Sequence, residues 1–196
     1  MAEQQNRGRP ATFPTDHVIS LAMDAYWRGG ADRPSLNEIC RRAGVSKPGL
    51  YRVFGGEDRL MEAALDRYAE TVLAANFAGV DPSAPLHDTL RALVTGWTDP
   101  QRPGPPGCLL AELQHADGLG PSVTKRIATL RQQARSAYGE LIDGAKARGE
   151  VRGDVATDVA AAMIDIECNA VLVRMAAGED PELLRAQALL AFSVLA

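Results

Sequence analysis

"SLNEICRRAGVSKPGLYRVFGG", residues 35–56, places two short apolar stripes of helical spacing on either side of a four-residue break, Ala43-Gly44-Val45-Ser46. The first opens on Ser35-Leu36-Asn37-Glu38, a capping box in which the serine hydroxyl accepts the Glu38 amide and the Glu38 carboxylate reaches back. It turns Leu36, Ile39, Cys40 and Ala43 inward and stops at Gly44, which can take the left-handed cap conformation. Ser46 caps the second. Pro48 then falls in the first turn, where amides have no intrahelical partner and its missing N–H costs little. Val45 is placed to pack on Leu50 as a hydrophobic staple. At about 100° per residue, Leu50, Val53 and Phe54 gather on one side, with Pro48, Tyr51 and Arg52 opposite and Lys47 at the tip. This is the grammar of a helix-turn-helix. The outward face joins two cations and a phenol, groups suited to phosphate oxygens and base edges. A helix N-terminus beside them adds free amides and a positive dipole.

Outward from this stretch the apolar residues keep the helical period and no alternating run suggests a sheet, so the class is all-α. A first helix is expected from about Thr15 to Arg28, with Val18, Leu21, Ala22 and Ala25 on one face and Gly29-Gly30 as its stop. Beyond Gly55-Gly56 come a long helix from about Glu57 to Ala78, ended by Asp81-Pro82, and others at about 85–97, 106–116, 121–148, 157–177 and 181–195. That makes about nine helices. The division expected is an N-terminal three-helix DNA-binding domain, residues 1–56, and a larger C-terminal ligand-binding and dimerisation domain, residues 57–196.

Charge supports the division. Residues 1–56 carry eight Arg and Lys against five acids, a net of +3, and the rest carry 13 against 20, a net of −7. A polyanion is drawn to the first part and repelled by the second. No stretch has the roughly 18 uninterrupted apolar residues of a membrane span, and the polar, basic N-terminus is no signal peptide, so a soluble cytoplasmic protein without membrane association is expected. Cys40, Cys108 and Cys168 lie far apart and form no CxxC pair, and His17, His87 and His115 are equally scattered. Neither a disulfide framework, a metal site nor a bound cofactor is expected.

Trp97, Leu110, Leu113 and Met163 read as lining of a ligand cavity or as plain core, with Glu167 a candidate polar contact. Asp165, Glu167, Cys168 and Asn169 interrupt an otherwise apolar helix and cannot all face water. Ala160, Met163, Ile164 and Val171, then Leu183, Leu184, Ala188, Leu189 and Phe192, offer more apolar face than one small domain covers, and so suggest a two-fold dimer through the last two helices. Arg41-Arg42 reads as phosphate contacts or as the solvated end of a short helix, and Cys108 as an oxidant sensor or a small hydrophobe.

Residues 7–60 resemble the DNA-binding domain of the TetR family of transcriptional regulators. The resemblance rests on Arg7-Gly8-Arg9-Pro10, Ala25-Tyr26-Trp27, Ser35-Leu36-Asn37-Glu38-Ile39, Ala43-Gly44-Val45-Ser46-Lys47, Leu50-Tyr51 and Phe54-Gly55. "GCLLAEL", residues 107–113, is also similar to a segment of many members. The resemblance implies a homodimeric regulator, a repressor, that binds a double-stranded palindromic operator and is released by a small-molecule effector in the C-terminal domain. It implies DNA contacts from Ser46, Lys47, Tyr51 and Arg52 beside Pro48, with Ser35 near a phosphate and the Arg7/Arg9 arm toward the minor groove. Two departures stand out. Gly49 occupies a position where the family carries a small polar side chain able to touch a base, and Glu57 one where it often carries a lysine, leaving Arg59 as the replacement phosphate contact. Two competing readings are a thiol redox sensor acting through Cys108 and an enzyme domain attached to a DNA-binding module.

Overall fold

The computed structural model describes residues 13–29, 32–78, 80–81, 83–114 and 116–195; the Arg7/Arg9 arm, Gly30, Pro82 and His115 lie outside them. Among the described residues there is no strand. The helices are α1 (Thr15–Gly29), α2 (Leu36–Ala43), α3 (Lys47–Phe54), α4 (Glu57–Tyr68), α5 (Ala74–Ala78), α6 (Leu86–Trp97), α7 (Leu109–Gln114), α8 (Pro121–Ala147), α9 (Thr157–Ala176) and α10 (Pro181–Phe192). A π-helical turn, Ala69–Leu73, joins α4 to α5 without a break, and a 3₁₀ turn, Ser193–Leu195, follows α10.

Each start and stop has a local cause. Gly44 (φ +65°) closes α2 and Gly55 (φ +82°) closes α3, a conformation that a Cβ would strain. Prolines in the first turn open α8 and α10, where fixed φ helps and the lost N–H does not matter. Two expectations need correction. The helix expected over 57–78 is not regular: Leu60, Ala64, Leu65 and Tyr68 are buried, but in the π-turn the stripe moves to the edge of the core, with Val72 and Leu73 only half-buried against it. The helix expected over 106–116 shrinks to Leu109–Gln114, because a Cβ at Gly107 would stand 3.0 Å from that of Ala176 and the chain stays irregular to fit against α9.

α1 packs along α4, α4 packs along α8, and α8 along α9, so α4 lies between the N-terminal helices and the rest. The core runs through the whole chain, from Val18, Tyr26 and Leu50 to Leu113, Ile142 and Ile164. Leu50 anchors α3 and is fully buried; truncation to alanine at such a site costs about 2–5 kcal/mol. The last two helices bury Ala160, Ile164, Val171, Leu184, Ala188 and Phe192 against the chain's own core. The large apolar side chains they leave in solvent are Val159, Ile166, Val173, Leu183 and Leu190, with Val194 of the 3₁₀ turn beside them in sequence. Of the residues expected on the surplus face only Leu183 lies there, because α9 is apolar on both sides and the inner row satisfies its own domain.

Candidate functional site

On α2, Ser35 Oγ accepts the Glu38 amide at 3.3 Å. The return half of the expected capping box is not made: Glu38 turns to the guanidiniums of Arg41 (2.6 and 2.9 Å) and Arg42 (2.7 Å). Hydrogen bonds from Arg41 and then Arg42 hold the Glu38 carboxyl down at about 2. Both arginines are therefore paired on their own helix.

α3 begins with Ser46 Oγ accepting the Gly49 amide at 3.2 Å. Leu50 points inward, and half-buried Phe54 meets Phe13 edge-on at 6.2 Å between ring centroids. Ser35, Ser46, Lys47, Pro48, Tyr51 and Arg52 are exposed together. Among the described residues, the side chains of Lys47, Tyr51 and Arg52 take part in no hydrogen bond or ion pair. Other cations nearby are engaged: Arg28 with Asp24, Arg33 with the Asp117 carbonyl at 2.7 Å, and Arg59 with Glu62 at 2.7 Å. Two residues depart from their expected sides. Val53 is 40% exposed, because a helix of two turns presents only one full row to the core. Gly49 is buried, and a Cβ there would stand 3.0 Å from Ser46 Oγ and 3.3 Å from Phe13.

Behind this face, Arg67 of α4 binds Asp16 and Ser20 of α1. Asp58, four residues after α3 ends, accepts the Ser122 and Val123 amides of α8, both at 3.1 Å. Burial pushes Asp58 up, but the bonds from Val123 and Ser122 outweigh it and leave the carboxyl below its usual range. Asp58 was not anticipated. Its only signal in the sequence is an acid near a helix start, a place where acids are common.

In the C-terminal part, Trp97 and Leu110 line an internal cavity with Tyr68, Phe77, Cys108, Tyr138 and the polar side of α9: Asp165, Cys168 and Asn169. Leu113, Met163 and Glu167 are not among its lining residues. Leu113 is fully buried and Met163 packs on the core, because the inner face of α9 is set by Ile164 and Leu172; Glu167 is half-buried, its charge bearing on Arg174. Most of the polar groups are already paired; Arg131, which also lines the cavity, has no side-chain partner among the described residues. Tyr68 donates to Cys108 Sγ at 3.4 Å, Tyr138 pairs with Cys168, and Asp165 accepts from Arg135 at 3.3 Å and from Asn169. Burial, reinforced by neighbouring Cys108, pushes the Cys168 thiol up, and burial pushes the phenols of Tyr68 and Tyr138 up as well. Its volume is about 40 Å³, space for an ordered water.

A family model described as "Bacterial regulatory proteins, tetR family" matches residues 18–64, and one described as "Tetracyclin repressor-like, C-terminal domain" matches residues 87–189, over half of the chain. The chain belongs to the TetR family. It is a DNA-binding transcriptional regulator. Among TetR relatives, the transcriptional repressor ComR of Escherichia coli strain K12 is 26% identical over 156 residues, spanning 76% of this chain and 72% of ComR. BdcR, a repressor from the same strain, is 30% identical over 93 residues, 46% of this chain and 42% of BdcR. The fold is shared with a cysteine mutant of the TetR regulator CifR solved with a 26-base-pair operator (TM-score 0.82, 20% identity, 96% of this chain and 100% of that one). It is shared too with reduced NemR of E. coli (TM-score 0.78, 12% identity, 93% and 97%). No helix among the described residues is long and apolar enough to cross a membrane.

Proposed function

We propose that this TetR-family chain is a homodimeric repressor that grips a palindromic operator through α3 of each protomer and lets go when a small molecule occupies its C-terminal part. The observation that carries the DNA half is the unpaired trio Lys47, Tyr51 and Arg52 on one exposed face. Lys47 and Arg52 supply cations and Tyr51 a phenol for phosphate, while the amides at the start of α3 and α2, near Ser46 and Ser35, add donors that carry no sequence preference. Pro48 fixes the chain at the tip. The relatives ComR and BdcR are repressors and CifR was solved on operator DNA, which supports the same reading here.

Residues 1–56 are then the DNA-binding part and residues 57–196 the effector and dimer part. Val159, Ile166 and Val173 recur every seven residues along α9, on one side over about four turns, and with Leu183 and Leu190 of α10 make a stripe suited to a two-fold four-helix bundle. Two α3 helices held this way read half-sites about 34 Å apart or a multiple of it. The thiol reading draws less support, since Cys108 is buried and already accepts from Tyr68, and the Cys168 thiol is pushed away from the reactive thiolate.

The test is an operator selected from a random DNA pool, with affinity measured against salt. Lys47→Ala should weaken binding and lower the slope of log affinity on log salt by about 1. Tyr51→Phe should weaken binding severalfold at unchanged sequence preference. Unchanged affinity in both variants overturns the docking face.

A further inference from the structure

The internal cavity beside Tyr68 and Tyr138, at about 40 Å³, is too small for an effector, and its phenols, thiols and Asp165 already have partners. A different feature asks for one. Arg102 lies in the proline-rich segment between α6 and α7, and among the described residues its Nη1 and Nη2 are buried with no hydrogen-bond partner. A guanidinium cannot relieve this by losing its proton, and a buried charge without a partner is costly. What Arg102 does have is the face of Trp27, 5.9 Å from its ring centroid, and a cation–π contact recovers only part of the loss. Trp27 Nε1 is also buried without an acceptor. Donors outnumber acceptors here.

Arg102 borders a cleft of about 370 Å³ between its own segment and the α9–α10 turn, within the range of small-molecule sites. Its walls are mixed: Trp97, Pro100, Pro106, Met175 and Pro181 supply an apolar part beside charged side chains. Two acids stand on it. Glu179 is held by Arg174 at 2.5 and 2.9 Å, and Asp99 accepts the Gln101 amide at 2.8 Å. Their negative charge disfavours a dianion, whereas one carboxylate can meet the guanidinium in a two-pronged pair. We infer that this cleft is the effector site and that it takes a small monocarboxylate with an apolar body, its carboxylate on Arg102. This rests on the regulator reading for its purpose, though not for its chemistry.

The site reaches the DNA-binding part through Trp27. Gly104, in the same segment, lets the indole approach so closely that a Cβ there would lie 2.8 Å from its Cζ3. On its other side Trp27 meets Tyr68 edge-on at 4.9 Å. A carboxylate that draws Arg102 toward the cleft loosens its hold on a buried residue of α1, so ligand and operator favour different seatings of that helix.

The experiment titrates the full-length chain with sodium benzoate, using benzamide as the uncharged control, and follows melting temperature and tryptophan emission. Trp27 and Trp97, the two tryptophans of the chain, lie under Arg102 and in the cleft wall. Benzoate should raise the melting temperature and change the emission saturably, and benzamide should do neither. Arg102→Met should melt no lower than the parent without ligand, and bind benzoate roughly tenfold more weakly or worse. Arg131→Met, at the internal cavity, should respond like the parent. The proposal is overturned if Arg102→Met responds like the parent, if Arg131→Met alone loses the response, if benzamide acts like benzoate, or if benzoate has no effect on the parent. Operator affinity of Lys47→Ala and Tyr51→Phe, read separately, tests the operator-docking reading whichever way the benzoate titration falls.

Discussion

Glu38 shows how one side chain sets what its neighbours are free to do. By holding Arg41 and Arg42 it withholds two cations from the side proposed to meet DNA. Glu38→Gln releases them, so operator and non-specific affinity should rise together and the salt slope should steepen by about 1 to 2, as read in a salt titration. The same pairing has a pH signature. The carboxyl titrates at about 2 in the fold against about 4.3 in an unfolded chain. Its contribution is therefore fully present above about 4.3 and is lost as pH falls toward 2. Acid unfolding of Glu38→Gln should be shallower across that window. Gly49 marks the limit of sequence reading at this scale. The serine caps could be read because their partners lie three residues away, but the side to which Gly49 points depends on Phe13, which closes over it from before α1.

Among the helices, two N-termini are completed by carboxylates from elsewhere in the chain. Asp58 accepts from the first turn of α8, and Glu150 accepts the Leu86 amide at the start of α6 at 2.7 Å. Asp58→Ala should cost about 1 kcal/mol in denaturant unfolding, the usual size of a lost cap. Because the carboxyl is depressed in the fold, that difference should be present above about pH 3.9 and fade at lower pH. Gly120 is the counterpart: a Cβ there would fall 2.2 Å from Asp58 Oδ1. Gly120→Ala should destabilise the parent by about 1–3 kcal/mol, less once Asp58 is alanine, whose Cβ still stands 2.8 Å away, and least once it is glycine, a coupling that double-mutant cycles measure. Helix limits were legible to within a residue or two wherever serine, glycine or proline marked them. The π-turn after Tyr68 and the shortening of α7 were not: no residue type marks the first, and the second goes with the close approach of Gly107 to Ala176 of α9.

For the molecule as a whole, the spread of basic and acidic residues and the apolar surplus of the last two helices pointed to two parts and a paired assembly. The surplus was assigned to the wrong row. Periodicity reveals that α9 has two apolar sides but not which of them its own domain covers. Ile166→Glu with Leu190→Glu should therefore give a folded monomer by light scattering and weaken operator binding by more than tenfold, whereas the buried row cannot be altered without loss of the fold. The link between Asp58 and Gly120 also constrains how such regulators can diverge. Neither position has a preference of its own that a single chain reveals; each is tolerable because of what stands at the other. Across related chains that keep this packing of α4 on α8, the two should change as a pair: an acid at the position of Asp58 only where glycine faces it, and a bulkier residue at that of Gly120 only where the acid is gone.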